Sequence, residues 1–254
     1  MAQIAQSALA MAYMRSLDIK VSRDTLAQHL LTHEARALGD DWLSVYPGLA
    51  RHGALRCRYI EDTAITYINR DVSQMINVAA GLNTFPYRHP DAARLTHYAE
   101  FDLPEMIEHK RGIIDRFARE GKIKQPLVKV DYVATDLTED IALSFEKLGW
   151  DWSKPTIVVM EGISYYVPLA SLQRVITTIS GFLAPGSPVL FDYFRPEDRK
   201  TPLYQKIHQT IGLQKEPFLT FLDSAGVQAL FDGSTIVSDR LITDIEKDYC
   251  PDRS

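Results

Sequence analysis

Gln74-Met75-Ile76-Asn77-Val78-Ala79-Ala80-Gly81-Leu82-Asn83-Thr84-Phe85-Pro86-Tyr87-Arg88, followed by Glu100-Phe101-Asp102-Leu103-Pro104, is the stretch whose reading decides the fold. The apolar run ending near Ala80 reads as a buried parallel strand. It breaks at Gly81, where the backbone can turn sharply or approach a ligand closely. Glu100 stands nineteen positions after Gly81, at the end of a second strand-like run. A glycine corner after one strand and a carboxylate after another is the layout of a nucleoside site at the carboxyl edge of an α/β sheet. The glycine admits the ligand and the carboxylate accepts bonds from ribose hydroxyls. The chain lacks the full G-x-G-x-x-G fingerprint, so a nucleoside without phosphates fits better than a dinucleotide.

Outward from this stretch, strands and helices alternate. Strands are expected over 74–80, 96–101, 128–134, 156–160 and 188–193, with 235–245 as an edge strand. Helices are expected over 104–120, 138–148, 168–183 and 218–232. The first of these has Asp102 as a candidate N-cap and Pro104 in its first turn. The third carries Leu172, Val175, Ile176, Ile179 and Leu183 on one stripe. The polar region 195–216, near Pro196, Pro202 and Pro217, reads as a lid inserted over the sheet. Ahead of the first strand, 5–19, 22–38 (with Ser22 as its cap) and 56–70 read as helices. Residues 39–53, richer in Gly, Pro and Trp, read as a loop. The expected architecture is a single domain over 1–254, with a helical N-terminal cap over 1–70. Its α/β core over 71–254 is a doubly wound sheet of the seven-stranded type, with helices on both faces.

Composition narrows the function. The chain has 254 residues, of which 46% are hydrophobic and 24% charged, ordinary for a soluble domain. A net charge of −5 leaves no basic surplus for phosphates, so no nucleic-acid partner is expected. Two cysteines, Cys57 and Cys250, make neither a disulfide framework nor a metal cluster, and a cytoplasmic setting is expected. Met1 to Met14 lacks the charged start of a signal peptide and is too short to span a bilayer, so an amphipathic helix and no membrane association are expected.

Ligands of such sheets lie outside the carboxyl ends of the strands. Gly81, Glu100, Asp102, Asp136 and Glu161 all fall there. Asp102 and Asp136 each have an alternative reading as helix caps. Glu161 follows an apolar run and precedes Gly162, so its carboxylate needs a partner. Tyr165 and Tyr166 read equally as pocket lining or core. Other chemistries score poorly. No G-x-S-x-G elbow or Walker lysine loop is present. His29 and His33 fall four apart, but no third ligand accompanies them and no metal is expected.

With these residues in hand, the chain resembles the leucine carboxyl methyltransferase family, which includes bacterial small-molecule O-methyltransferases. Four motifs carry the resemblance: Arg56-Cys57-Arg58-Tyr59-Ile60-Glu61-Asp62; Asn77 to Thr84 with Tyr87-Arg88; Glu100 to Pro104 with Lys110; and Met160-Glu161-Gly162-Ile163-Ser164-Tyr165-Tyr166-Val167-Pro168. The resemblance implies a class I, Rossmann-like methyltransferase sheet with S-adenosylmethionine as methyl donor. It implies Arg56, or less well Arg58, at the donor carboxylate. Ala79 and Gly81 would line the methionine part, Glu100 and Asp102 the ribose, Asp136 and Leu137 the adenine, and Glu161 the ammonium or sulfonium end. Two departures stand out, Ala79 for the first loop glycine and Asn83 for the loop aspartate. They keep open a noncatalytic nucleoside-binding protein acting as a structural partner. A nicotinamide-dependent reductase is a third reading, disfavoured by the missing glycines.

The acceptor is expected to be a small molecule, with a carboxylate or hydroxyl receiving the methyl group. Its contacts are expected from the N-terminal helices and the lid: Tyr13, Arg15, His29, Tyr193, Arg195, Tyr204 and His208, with Tyr165 nearby. His208, Tyr193 and Arg195 are catalytic candidates by position only. With no clear base in the sequence, a carboxylic acid or acidic phenol is favoured.

Overall fold

A computed structural model describes residues 5–211 and 216–251. Its centre is a five-stranded, all-parallel sheet in the order β3-β2-β1-β4-β5. The strands are β1 Gln74–Val78, β2 His97–Asp102, β3 Val130–Ala134, β4 Thr156–Met160 and β5 Val189–Phe191. Eleven α-helices surround it among the described residues. Before the sheet come α1 Gln6–Leu17, α2 Ile19–Ser22, α3 His33–Val45 and α4 Leu49–Ile68. Between the strands come α5 Phe85–Arg88, α6 Pro104–Arg119, α7 Ala142–Leu148 and α8 Leu169–Phe182. After β5 come α9 Pro202–Ile211, α10 Ser224–Leu230 and α11 Ile242–Tyr249.

Every residue of β1 and β4 is buried, as strands covered on both faces require. Alternate residues serve opposite layers. Ile76, Val78, Val158 and Met160 meet α8 through Leu172, Val175, Ile176 and Ile179. Met75, Ile157 and Val159 meet α4 through Ile60, Ala64 and Ile68. The α8 residues recur at helical spacing, and each fully buried one contributes about 1.5–3 kcal/mol.

Three expectations are corrected. The sheet has five strands among the described residues, and 235–245 contributes none: 235–241 is irregular and α11 begins at Ile242. Thr235-Ile236-Val237 has strand-forming side chains but no layer to bury them, and Val237 stays 81% exposed. That segment is held instead by side chains, Tyr193 Oη donating to Asp239 and Tyr59 meeting Ser238.

Residues 39–53 are helical except for the turn at Tyr46-Pro47-Gly48. Their glycines serve close packing rather than turning. A Cβ at Gly39 would lie 2.1 Å from Tyr13 Cδ1, and one at Gly53 2.4 Å from Met11 Cε, so α1 lies directly against α3 and α4.

The expected helix 22–38 is broken. Arg23 takes a left-handed φ of 53°, which turns Asp24 inward, and α3 starts only at His33 behind the N-cap Thr32. Ser22 is no cap of such a helix: its hydroxyl donates to Arg15 O and accepts from Asp24 N. His29 and His33 therefore sit in different elements, with His29 against Phe117.

Within the expected lid, a short 3-10 turn Pro196–Lys200 precedes α9, and 212–215 lie outside the described residues. No helix among the described residues is long and apolar enough to cross a membrane.

Candidate functional site

The loop after β1 makes its corner with two left-handed residues, Ala79 at φ 53° and Gly81 at φ 49°. Asp102, at the end of neighbouring β2, fastens this corner. Its Oδ2 accepts from Gly81 N at 2.6 Å and its Oδ1 from Leu103 N at 2.8 Å. The N-cap of α6 is thus Leu103, with Pro104 in its first turn, and Asp102 ties the loop to the helix start. Burial raises the Asp102 pKa, while the Gly81 and Leu103 amides pull it down. Left-handed backbone costs an alanine about 1–2 kcal/mol. Ala79→Gly is expected to stabilise the chain by about 1 kcal/mol, read as a higher urea midpoint at unchanged slope. A lower midpoint would mean that the Ala79 methyl contributes packing greater than its strain.

Underneath the loop lies a buried charge network. Asp24 accepts from Arg15 Nε at 2.9 Å, Thr84 Oγ1 at 2.6 Å and Ala27 N at 3.0 Å, and pairs with Arg88 at 3.3 Å. Arg88 also grips Glu61, and Arg15 Nη2 donates to Leu82 O at 2.8 Å. Two cations and two carboxylates balance, as buried charges must. Arg15 is therefore committed to the loop and does not reach out to an acceptor. Asn83 Oδ1 accepts from Phe85 N at 2.8 Å, so the amide caps the loop locally.

Across the edge, after β4, Arg56 from α4 meets Glu161. Its Nε donates to Glu161 Oε1 at 3.1 Å, and its Nη1 to Tyr165 Oη at 2.8 Å and Asp192 Oδ2 at 3.1 Å. Nη2 has no protein hydrogen-bond partner among the described residues. Gly162, at φ 74°, makes room for this guanidinium, since a Cβ there would lie 3.1 Å from Nη2. Asp192 also accepts from Gly162 N at 2.6 Å. Burial raises the Glu161 pKa, and the charges of Arg56 and Arg15 oppose that rise.

Of the residues singled out from the sequence, the structure brings Arg56, Ala79, Gly81, Asp102 and Glu161 to the loops that follow β1, β2 and β4. Arg58 points elsewhere, paired with Asp62 at 2.6 Å under the Tyr249 ring. Glu100 does not reach the edge either: it is buried inside β2 and pairs with Lys110 at 2.6 Å. Asp136 follows β3, where its Oδ1 holds Thr138 in a local turn, and Leu137 packs on the core. Tyr165 is core and site at once. Its ring packs tilted on Phe194 and edge-on to Phe218 in an aromatic cluster while its hydroxyl meets Arg56.

Of the residues expected at the acceptor, Tyr13, Tyr165 and Tyr204 join one cluster with Trp42 and Phe218, whereas Arg15 and His29 turn to other partners. Tyr13 Oη donates to Asp40, Arg195 pairs with Glu197, and exposed His208 stacks on Tyr204. Asp24, Asp192 and His52 were not singled out from the sequence. For Asp192, the signal was an acid directly after the fifth strand. No group of three metal-ligating side chains exists among the described residues.

Strand order 3-2-1-4-5 with glycine corners after β1 and β4 is the core of class I methyltransferases. A sequence model of the leucine carboxyl methyltransferase family matches residues 4–180, and the chain belongs to that family. It is 27% identical over 207 residues to a Mycolicibacterium smegmatis protein named as a candidate S-adenosyl-L-methionine-dependent methyltransferase, covering 76% of this chain and 68% of that one. A similarly named Streptomyces coelicolor protein is 26% identical over 184 residues, covering 70% and 58%. The chain spans about half to two-thirds of the length of the curated relatives it matches. In fold it is similar to a candidate methyltransferase of Thermobifida fusca, with a TM-score of 0.61 and 18% identity over 83% of this chain and 79% of that one. A Streptomyces avermitilis protein superposes with a TM-score of 0.64 and 15% identity over 91% and 83%.

Proposed function

We propose that this chain is an S-adenosylmethionine-dependent O-methyltransferase acting on a small molecule. The observation that carries the reading is Arg56, half-buried at the strand ends with Nη2 left over beside Gly162. A guanidinium with one free hand at a glycine cradle suits the donor's α-carboxylate. Glu161, whose second oxygen has no hydrogen-bond partner among the described residues, suits the ammonium. Each Asp102 oxygen spends one lone pair on an amide and keeps one for a ribose hydroxyl. Asp136 and Leu137 would border the adenine, and the Ala79–Gly81 corner the methionine chain. Glu100 is left to a structural ion pair. The residues present therefore fit the donor.

When bound, the sulfonium donor supplies an already activated methyl group. The chain's task is alignment, holding the acceptor oxygen in line at about 3–3.5 Å. Calorimetry should show one S-adenosylmethionine site that S-adenosylhomocysteine competes away. Gly81→Val should abolish it. The left-handed φ of 49° excludes a branched side chain, and even a Cβ would come 3.3 Å from Ala8 Cβ. Full affinity in that variant would place the ligand elsewhere.

A further inference from the structure

The glycine corners after β1 and β4 are fastened in the same way, each by the carboxylate that follows a neighbouring strand. Asp102, after β2, holds Gly81 N. Asp192, after β5, holds Gly162 N, its Oδ1 accepting at 2.6 Å. Met160 of β4 pairs with Phe191 of β5, so Glu161 and Asp192 leave adjacent parallel strands side by side. The second corner differs from the first in one respect. The other oxygen of Asp102 takes an amide of its own chain segment, Leu103 N, whereas the other oxygen of Asp192 takes the Arg56 guanidinium, Oδ2 accepting from Nη1 at 3.1 Å.

The backbone that carries Asp192 is braced from both sides. Its carbonyl oxygen accepts from Ser164 Oγ, which ties it to the loop after β4. Two residues on, Phe194 O accepts from Leu222 N at 2.9 Å, and the Phe194 ring lies 4.3 Å from that of Tyr165. Both oxygens of the carboxylate face donors, Gly162 N–H and Arg56 Nη1–H. A carboxylate accepts at both. An asparagine amide would bring its NH₂ to one of them and meet a donor with a donor.

Charge balance gives each carboxylate beside Arg56 a separate task. Glu161 and Asp192 both pair with the one guanidinium, each at 3.1 Å. Asp192 keeps Arg56 neutralised when Glu161 turns its second oxygen to an ammonium, as a charge withdrawn from water requires. With Nε held by Glu161 and Nη1 by Asp192 and Tyr165, the planar fork cannot turn. Nη2 is thereby kept at the Gly162 cradle.

We propose that Asp192 is a positioning residue for the amino-acid end of the donor. It acts through Arg56 and the Gly162 corner and does not itself touch the donor. The inference rests on the methyl-donor reading above. In that reading Arg56 and Glu161 make the contacts to the α-carboxylate and the ammonium, and Asp192 sets the direction of the guanidinium. Its effect is therefore confined to ligands that carry the amino-acid end, because the nucleoside lies with Asp102, Asp136 and Leu137 on the other side of β1.

The test is calorimetry on the intact chain with S-adenosylhomocysteine and with 5′-methylthioadenosine, which keeps the nucleoside and thioether but has no amino-acid end. Asp192→Asn should weaken S-adenosylhomocysteine by about 10-fold, the scale of one charge-assisted hydrogen bond. The same variant should bind 5′-methylthioadenosine within about twofold of the parent chain, as for a site remote from its contacts, which also reports an intact fold. In an Arg56→Lys background, adding Asp192→Asn should cost S-adenosylhomocysteine less than about threefold, because no planar fork is left to steer. Equal losses on both probes, failure to fold included, would make Asp192 a structural residue and overturn the proposal. So would unchanged S-adenosylhomocysteine affinity in Asp192→Asn, or losses that simply multiply in the double variant. Failure of the parent chain to bind S-adenosylhomocysteine at all would instead overturn the donor reading.

Discussion

Arg56→Lys is expected to weaken S-adenosylmethionine binding by about 10- to 100-fold, the loss of one charge-assisted hydrogen bond of about 1.5–3 kcal/mol. Three protein acceptors already converge on the guanidinium: Glu161, Asp192 and Tyr165. An ammonium is a point charge without a planar fork. It cannot keep those partners and also present a hand at Gly162. Arg58→Lys is the matched control, because Arg58 faces Asp62 and Tyr249 rather than the edge. Its donor affinity should stay within about twofold of the parent chain, as for a partly exposed pair. Calorimetric titration of both variants decides the matter. A loss in Arg58→Lys without one in Arg56→Lys would move the donor carboxylate to the other face of α4.

Asp24→Asn is expected to have the largest effect on stability, a loss of about 3–5 kcal/mol. The aspartate side chain has no exposed surface, and four groups converge on it: Arg15, Ala27, Thr84 and Arg88. An amide would turn an NH₂ toward donors and leave the buried Arg15 without its ion-pair partner. Because Arg15 also holds Leu82 O, the loop after β1 should loosen with the network and donor affinity should fall.

The effect depends on pH. Burial by itself raises the Asp24 pKa, but Arg15, Arg88 and the Thr84 hydroxyl outweigh it and leave the carboxyl below its ordinary value. A depressed carboxyl stabilises the fold above the unfolded pKa, near 4, and that stability is lost as pH falls through the folded value. Urea midpoints for the two chains should therefore lie far apart at pH 7 and converge below about pH 4. A gap that stays constant down to pH 3 would mean that shape, not charge, makes Asp24 necessary.

The residues on which these predictions turn also show where reading the sequence stops. Parallel strands buried on both faces are near-continuous apolar runs, so 156–160 could be placed exactly where β4 lies, and the other four strands within one or two residues. Pro104 at the start of α6 and the stripe of α8 are local signals and were equally legible. Loop motifs around Gly81 and Glu161 carried the family, because a glycine corner after a strand is written in consecutive residues.

Side-chain pairing was not legible, because its partners come from elements far apart in sequence. Glu100 looks like a strand-end ligand until α6 brings Lys110 onto it. Arg56 and Arg58 differ only in which face of α4 they occupy, and the sheet decides between them. Arg15 was expected to face an acceptor; packing of α1 against the loop turns it onto Asp24 and Leu82. Glu216 holds the amides of Gln6 and Ser7, the first of α1, from 210 and 209 residues away in sequence, which no spacing announces. Glycines at 39 and 53 read as breakers, because their purpose, the close approach of α1, exists only once helices pack. Local order thus followed from the chain's own periodicity and turn residues. The partner of each charge, and with it the site, was set by which surfaces the tertiary fold pressed together, since a buried charge takes its role from whatever neutralises it.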